Sequence, residues 1–170
     1  SFTVTEDVNG NLVFTGTPFA DVDVASGNMT VTLSVTDGII TGNASTGITV
    51  AGTTTARTLT GTLAALNTYF TTAGNITYTS ASNNDSPRTL TINISDLGNT
   101  GSGGILTAST TSTINITSVN DRPTATAAAT LAYTENAAAT LIDVTITLAD
   151  VDDAQLASAT VTITSGFVAG

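Results

Sequence analysis

Asn28-Met29-Thr30-Val31-Thr32-Leu33-Ser34-Val35-Thr36 decides the fold, because Met29, Val31, Leu33 and Val35 alternate with threonine and serine. Successive side chains of a strand leave opposite faces of its sheet, so this alternation predicts a half-buried strand. It returns in Ile76 and Tyr78, in Leu90, Ile92 and Ile94, and in Ile114 and Ile116, with Thr, Asn or Ser between them. Turn-forming clusters part the runs: Asp37-Gly38, Thr41-Gly42-Asn43, Ala51-Gly52, Ser82 to Pro87 and Gly98 to Gly104. Short strands with frequent turns predict an all-β chain folded as a β-sandwich. One stretch keeps a different period. Leu63, Leu66, Tyr69 and Phe70 recur at helical spacing within Thr62 to Phe70 and predict a short helix that closes the open edge of the core.

Composition narrows the chemistry. The chain has 170 residues and 41% are hydrophobic, enough for an ordinary core. Acids outnumber bases 13 to 3, the bases being Arg57, Arg88 and Arg122, and the net charge is -10. Nucleic acid and anionic membrane both require Lys and Arg to neutralise phosphate, so neither is an expected partner; cations are. With no Cys and no His, thiol and imidazole mechanisms and the usual zinc sites are excluded. Paired carboxylates leave glycosidase chemistry open, but with no Trp, three Tyr and five Phe there is little for a sugar to stack on, and the chain is expected not to be an enzyme. Gly98 to Gly104 lacks the lysine of a phosphate cradle and is read as a hairpin turn. No apolar run approaches the roughly 20 residues of a membrane helix. The chain starts at Ser1 without a charged n-region and apolar h-region, so it reads as an internal window of a longer protein.

Val119-Asn120-Asp121-Arg122-Pro123 is a joint. Proline fixes its own φ and holds the preceding residue extended, while Asn120 and Asp121 offer side-chain oxygens. On both sides of it the same module begins. Thr5-Glu6-Asp7 returns as Thr134-Glu135-Asn136, and Ala20-Asp21-Val22-Asp23 returns as Ala149-Asp150-Val151-Asp152. Gly38 to Gly42 returns as Gly166-Phe167-Val168-Ala169-Gly170. One repeat therefore occupies residues 1 to 122, and residues 123 to 170 hold the first third of a second. An incomplete repeat predicts exposed apolar residues at Leu148, Val161, Ile163 and Phe167, and association with another chain.

Asp21-Val22-Asp23 and Asp150-Val151-Asp152 place paired carboxylates on one side of an extended chain, about 7 Å apart. Such a pair reaches one cation. Calcium suits it, since calcium takes about six to eight hard oxygen ligands in flexible geometry.

Pro123, Glu135-Asn136 and Asp150-Val151-Asp152, in that order, resemble the start of a cadherin-type repeat. Ile94 to Gly104, then Thr113-Ile114-Asn115-Ile116-Thr117 and Val119-Asn120-Asp121, look like the closing segment of the cadherin-like tandem repeats of giant bacterial surface adhesins. Asp7 stands where that pattern has Asn, and Ile40 to Phe70 is a long Thr-rich insert. The resemblance implies tandem Greek-key immunoglobulin-like β-sandwiches, calcium at the junctions and export to the cell surface. The expected function is a calcium-stiffened, rod-like spacer of an extracellular adhesin or surface fibre, partnered by neighbouring repeats. The alternative is a self-assembling surface-layer or filament subunit completed by strands from another copy.

Chain length sorts the ligands. From Pro123 to Glu135 an extended chain covers about 40 Å, so Glu135 lies at the far end of its repeat, and Asp150 and Asp152 return beside the joint. The joint is thus expected to combine Glu6, Asn120, Asp121, Asp150 and Asp152. Asp21 and Asp23 fall to the preceding junction and Glu135 to the following one. By resemblance, Asp96 joins Asp21 and Asp23, and Asp85 is a further ligand.

Overall fold

The computed structural model describes residues 1–99 and 102–165. The chain divides into two compact units, Ser1–Val119 and Asn120–Gly170. Most of unit 1 is β-structure. Its strands are β1 (Phe2–Thr5), β2 (Gly10–Asn11), β3 (Asn28–Ser34), β4 (Ile39–Gly42), β5 (Thr49–Gly52), β6 (Ala56–Thr62), β7 (Ile76–Thr79), β8 (Arg88–Ser95) and β9 (Thr107–Thr117), with one helix, α1 (Leu63–Thr71). A six-stranded sheet runs in the order β1-β9-β8-β3-β6-β5, and a three-stranded sheet in the order β2-β7-β4. Every pairing is antiparallel except β1 with β9, which is parallel from Phe2 opposite Ile114 to Thr5 opposite Thr117.

Both sheets feed one core. Val31 and Leu33 of β3, Leu59 of β6, Leu90 and Ile92 of β8 and Ile114 of β9 meet Ile40 of β4 and Ile76 and Tyr78 of β7, all buried. The alternation in β3 survives in full: its residues are buried at Met29, Val31 and Leu33 and partly open at the threonines between. Between β3 and β4 the chain changes sheet at Asp37-Gly38. Gly38 has φ +75, and a Cβ there would lie 2.6 Å from the Thr79 carbonyl oxygen, so only glycine fits. The Arg88 guanidinium holds this turn through Asp37 at 2.7 Å.

Helix α1 begins where Thr62 caps it, its hydroxyl accepting from Ala65 N–H. Leu66, Tyr69 and Phe70 are its buried face, and Phe70 packs edge-on against Phe14 and Phe19 at 5.1 and 4.9 Å. Burying a phenol demands a partner, and the Tyr69 hydroxyl donates to the carbonyl of Asn43 at 2.6 Å or of Asn75 at 3.0 Å. Burial pushes its pKa up.

Three expectations change. Thr41-Gly42 and Ala51-Gly52 are not free-standing turns but the last residues of β4 and β5. The Thr-rich stretch from Ile40 to Phe70 holds two strands of the main sheet, β5 and β6, besides the helix. In β7 the residue between Ile76 and Tyr78 is not exposed: Thr77 is also buried, and its hydroxyl has no hydrogen-bond partner among the described residues.

Unit 2 has two short strands, β10 (Thr124–Thr126) and β11 (Thr147–Ala149), paired antiparallel with Thr124 opposite Ala149. None of its described apolar residues is buried. Leu148, Val161 and Ile163 are 50%, 83% and 73% exposed. Phe167, and with it the third echo of the repeat, Gly166 to Gly170, lies outside the described residues.

Candidate functional site

The Thr-Glu-Asp motif builds the end of unit 1 from which β9 leaves. The parallel register of β1 continues one step beyond the strand, where Glu6 N–H donates to the Thr117 carbonyl at 2.9 Å. The Glu6 side chain then turns along the exit of β9, and its Oε2 accepts from Val119 N–H at 3.1 Å. Glu6 is only 3% exposed. Asp7 follows with φ 54, and Val8 N–H closes the turn on the Thr5 carbonyl at 3.3 Å. A left-handed residue at the third position of a turn favours Gly, Asn or Asp, which is what the motif supplies. Asp7 also grips the loop between β7 and β8: its N–H donates to Ser80 Oγ at 3.0 Å and its Oδ1 accepts from Asn83 N–H at 3.3 Å. Asp85 is exposed in that same loop.

Asp21, Asp23 and Asp96 gather at the opposite end. The length of β8 separates the two ends, about 25 Å of extended chain between Arg88 and Asp96. Asp21 Oδ1 accepts from the N–H groups of Asp23 and Val24, both at 3.0 Å, and Asp96 Oδ1 accepts from Gly98 and Leu106, both at 2.8 Å. The three line one cavity of about 370 Å³ together with Met29, Ile94 and Leu106. Asp23 N–H is the main influence lowering the Asp21 pKa. The Asp23 pKa is raised, chiefly by hydrogen bonding to the Asp21 carboxyl, then by burial and by the charges of Asp21 and Asp96. Crowded like charges raise a carboxyl's pKa, and a cation beside them would lower it again.

The Asp-Val-Asp backbone differs from the expected extended pair. Asp21 folds back to cap the N–H groups of Asp23 and Val24, because a short carboxylate competes well for its own backbone, and its carboxyl remains within hydrogen-bonding reach of the Asp23 carboxyl.

In unit 2 the same two motifs adopt the same turns. Asn136 has φ 63, and Ala137 N–H donates to the Thr134 carbonyl at 3.1 Å. Asp150 Oδ1 accepts from Asp152 N–H at 3.0 Å and Asp153 N–H at 3.2 Å. Asp152 Oδ2 in turn accepts from Asp121 N–H, and Asn120 Nδ2 donates to the Asp121 carbonyl at 3.2 Å. Asn120, Asp121, Asp150 and Asp152 are thereby brought together. Glu135 is exposed.

Protein-family models, curated proteins and solved structures were compared with the chain, and none matches. What these groups can do therefore rests on their chemistry. The donors are carboxylate, amide and backbone oxygens, the hard set that calcium takes and that softer metals do not favour.

One functional-type residue escaped the sequence reading. Asp143 takes four hydrogen bonds: Oδ2 from the N–H groups of Ala128 and Ala129 at 3.2 Å, and Oδ1 from the N–H and hydroxyl of Thr145 at 2.6 Å. The Thr145 hydroxyl and N–H hold its pKa down to about 2. Asp143-Val144-Thr145 was legible as a capping pattern; its long-range partners were not.

Proposed function

We propose that the chain is a calcium-stiffened structural repeat of an extracellular adhesin or surface fibre, a non-catalytic spacer of tandem cadherin-like, Greek-key β-sandwiches. One observation carries this reading. Both acidic motifs occur twice and form the same hydrogen-bonded turns each time, Thr5 to Val8 like Thr134 to Ala137 and Asp21 to Val24 like Asp150 to Asp153. Each turn is written by its own residues, so what supports a shared ligand is that the acidic motifs recur, in the same order, at matched positions of both units.

Covalent connectivity supports a calcium at the joint. Val119 N–H is bound by Glu6, and two residues later Asp121 N–H is bound by Asp152. Glu6, Asn120, Asp121, Asp150 and Asp152 would hold the ion. Calcium would supply the charge that lets these carboxylates converge, since without it they repel. Asp21, Asp23 and Asp96 belong by the same logic to a preceding junction, and Glu135 to a following one. The excess of acid over base and the absence of lysine accord with an exported protein whose partners are cations and neighbouring repeats. No helix among the described residues is long and apolar enough to cross a membrane.

Small-angle scattering of the full chain tests the spacer role. Calcium should narrow the distribution of particle lengths, Asp150→Ala should abolish that narrowing, and Asp21→Ala should leave it intact. Equal effects of the two substitutions would remove the assignment of ligands to separate ends.

A further inference from the structure

β4 and β5 are both edge strands, and they are finished differently. β4, at the edge of the small sheet, is sealed from within: Arg57 Nε and Nη2 donate to the Ile40 carbonyl at 3.3 and 3.2 Å, and Ile40 N–H donates to the Thr54 carbonyl at 2.7 Å. β5, Thr49-Val50-Ala51-Gly52, ends the main sheet with no strand beyond it among the described residues, and it carries neither charge nor proline, the usual guards of an edge. Thr49, Ala51 and Gly52 are exposed, and Val50 packs against the core. The first and last strands of unit 1, β1 and β9, lie at the opposite edge of this sheet, so β5 is bounded by the turns at Thr46-Gly47 and Thr54-Thr55 and by no end of the unit.

Charge says what can approach this edge. The chain carries a net charge of -10, yet no acid stands between Asp37 and Asp85. That acid-free span builds β4, β5, β6, α1 and β7 and contains Arg57. Asp37, at its border, is paired with Arg88 at 2.7 Å. Two copies of an anionic chain repel where their acids meet, whereas β5 and its sheet neighbours β6 and β3 carry none. We propose that β5 is a self-pairing edge whose occupant is β5 of a second copy of this chain, set antiparallel across a twofold axis so that two six-stranded sheets join side by side.

The hairpin between β5 and β6 sets the register. Thr53 N–H donates to the Ala56 carbonyl at 2.9 Å, so Thr53 is turned toward β6; alternation turns Ala51 and Thr49 the same way and Val50 and Gly52 outward. Neither of these outward N–H groups donates to a described residue beyond the sheet. The Gly52 carbonyl takes Arg57 Nη1 at 3.4 Å and keeps a second lone pair. Setting Ala51 opposite Ala51 of the second copy pairs Val50 with Gly52 twice, and every outward group of the strand then has a partner. Main-chain bonds to an open sheet edge supply the affinity. Because one patch serves both copies, the contact is isologous and closes at two. It joins chains side by side without a cation, which takes it beyond the calcium reading.

Sedimentation equilibrium of the full chain in chelator tests the pairing. A monomer–dimer equilibrium is expected. Ala51→Asp, at an exposed position, sets two carboxylates face to face on the axis and should weaken the dimer several-fold while leaving the unfolding curve of the dilute monomer unchanged. The chain contains no cysteine, so a disulfide trap is clean. Ala51→Cys places two thiols in a non-hydrogen-bonded antiparallel pair with Cα atoms about 4.5 Å apart, within reach of a disulfide. Mild oxidation should then give a covalent dimer several-fold more abundant than from Thr89→Cys, an exposed position of β8 on the same face of the sheet, nearer its other edge. A chain that stays monomeric in chelator, a dimer that Ala51→Asp leaves intact, or crosslinking by Ala51→Cys no better than by Thr89→Cys overturns the proposal.

Discussion

The two units contain the same turns and differ in everything around them. In unit 1 the Thr5-Glu6-Asp7 turn is gripped by Thr117, Val119, Ser80 and Asn83, and Glu6 is buried. In unit 2 the Thr134-Glu135-Asn136 turn has the same left-handed third residue and the same closing bond, yet Glu135 is exposed and no described residue serves as a counterpart of β9. The Asp-Val-Asp turns match as closely. Turn geometry is therefore written locally, by an Asp carboxylate two or three residues from the N–H it serves or by an Asp or Asn in the left-handed conformation, whereas burial is conferred by strands distant in sequence.

The difference is broken most severely by attacking the core of unit 1, the unit in which apolar side chains are buried among the described residues. Phe70 is fully buried between Phe14 and Phe19, and Phe70→Ala should cost about 3–5 kcal/mol in denaturant unfolding. Leu148→Ala, at a residue half exposed in unit 2, should stay within about 0.5 kcal/mol. Equal losses would mean that unit 2 has a core of its own.

The paired glutamates sharpen the same contrast. Glu6→Ala strips the acceptor from Val119 N–H and should destabilise unit 1 by about 1–3 kcal/mol, read in chelator so that metal plays no part. Glu135→Ala should leave the unfolding curve unchanged. If both behave alike, the burial of Glu6 has no energetic meaning.

How far the sequence carried these results depends on where each signal lay. Helix α1 was readable because its buried face and its Thr62 cap sit within a few residues of each other. β3 and β8 were readable because their apolar alternation is strict. The first half of β9, Thr-Ala-Ser-Thr-Thr-Ser, has no apolar alternation, and only its pairing with β8 makes it a strand. β6 was hidden in threonines for the same reason, with Leu59 its one fully buried apolar side chain. Among the candidate ligands, the sequence grouped Asp21 with Asp23 and Asp150 with Asp152, but not their back-folded geometry. Asp143 was missed because Ala128 and Ala129, two of the groups it caps, lie 15 and 14 residues away.

A smaller effect separates the units by pH. Asp143 in unit 2 has a pKa near 2, below the ordinary value of about 3.9, so the bonds it accepts stabilise its segment above pH 4 and are lost as pH falls through about 2. Amide exchange at Ala128 and Ala129 should accelerate across that window. In unit 1 the Asp21 pKa is lowered and the Asp23 pKa raised, so their pair should titrate in two steps rather than one. Carbon-detected carboxyl titrations check both. An Asp143 that titrates near 4 would contradict the bonding described.

Calcium-dependent melting tests the central claim most directly. An ion that binds the folded acidic turns and not the unfolded chain must raise the unfolding temperature with concentration. Extracellular modules hold calcium at about 10⁻⁴ to 10⁻³ M, so the rise should begin below millimolar calcium and flatten above it. Magnesium at the same concentrations should give a smaller shift. Melting curves that superimpose in calcium and in chelator would contradict the account.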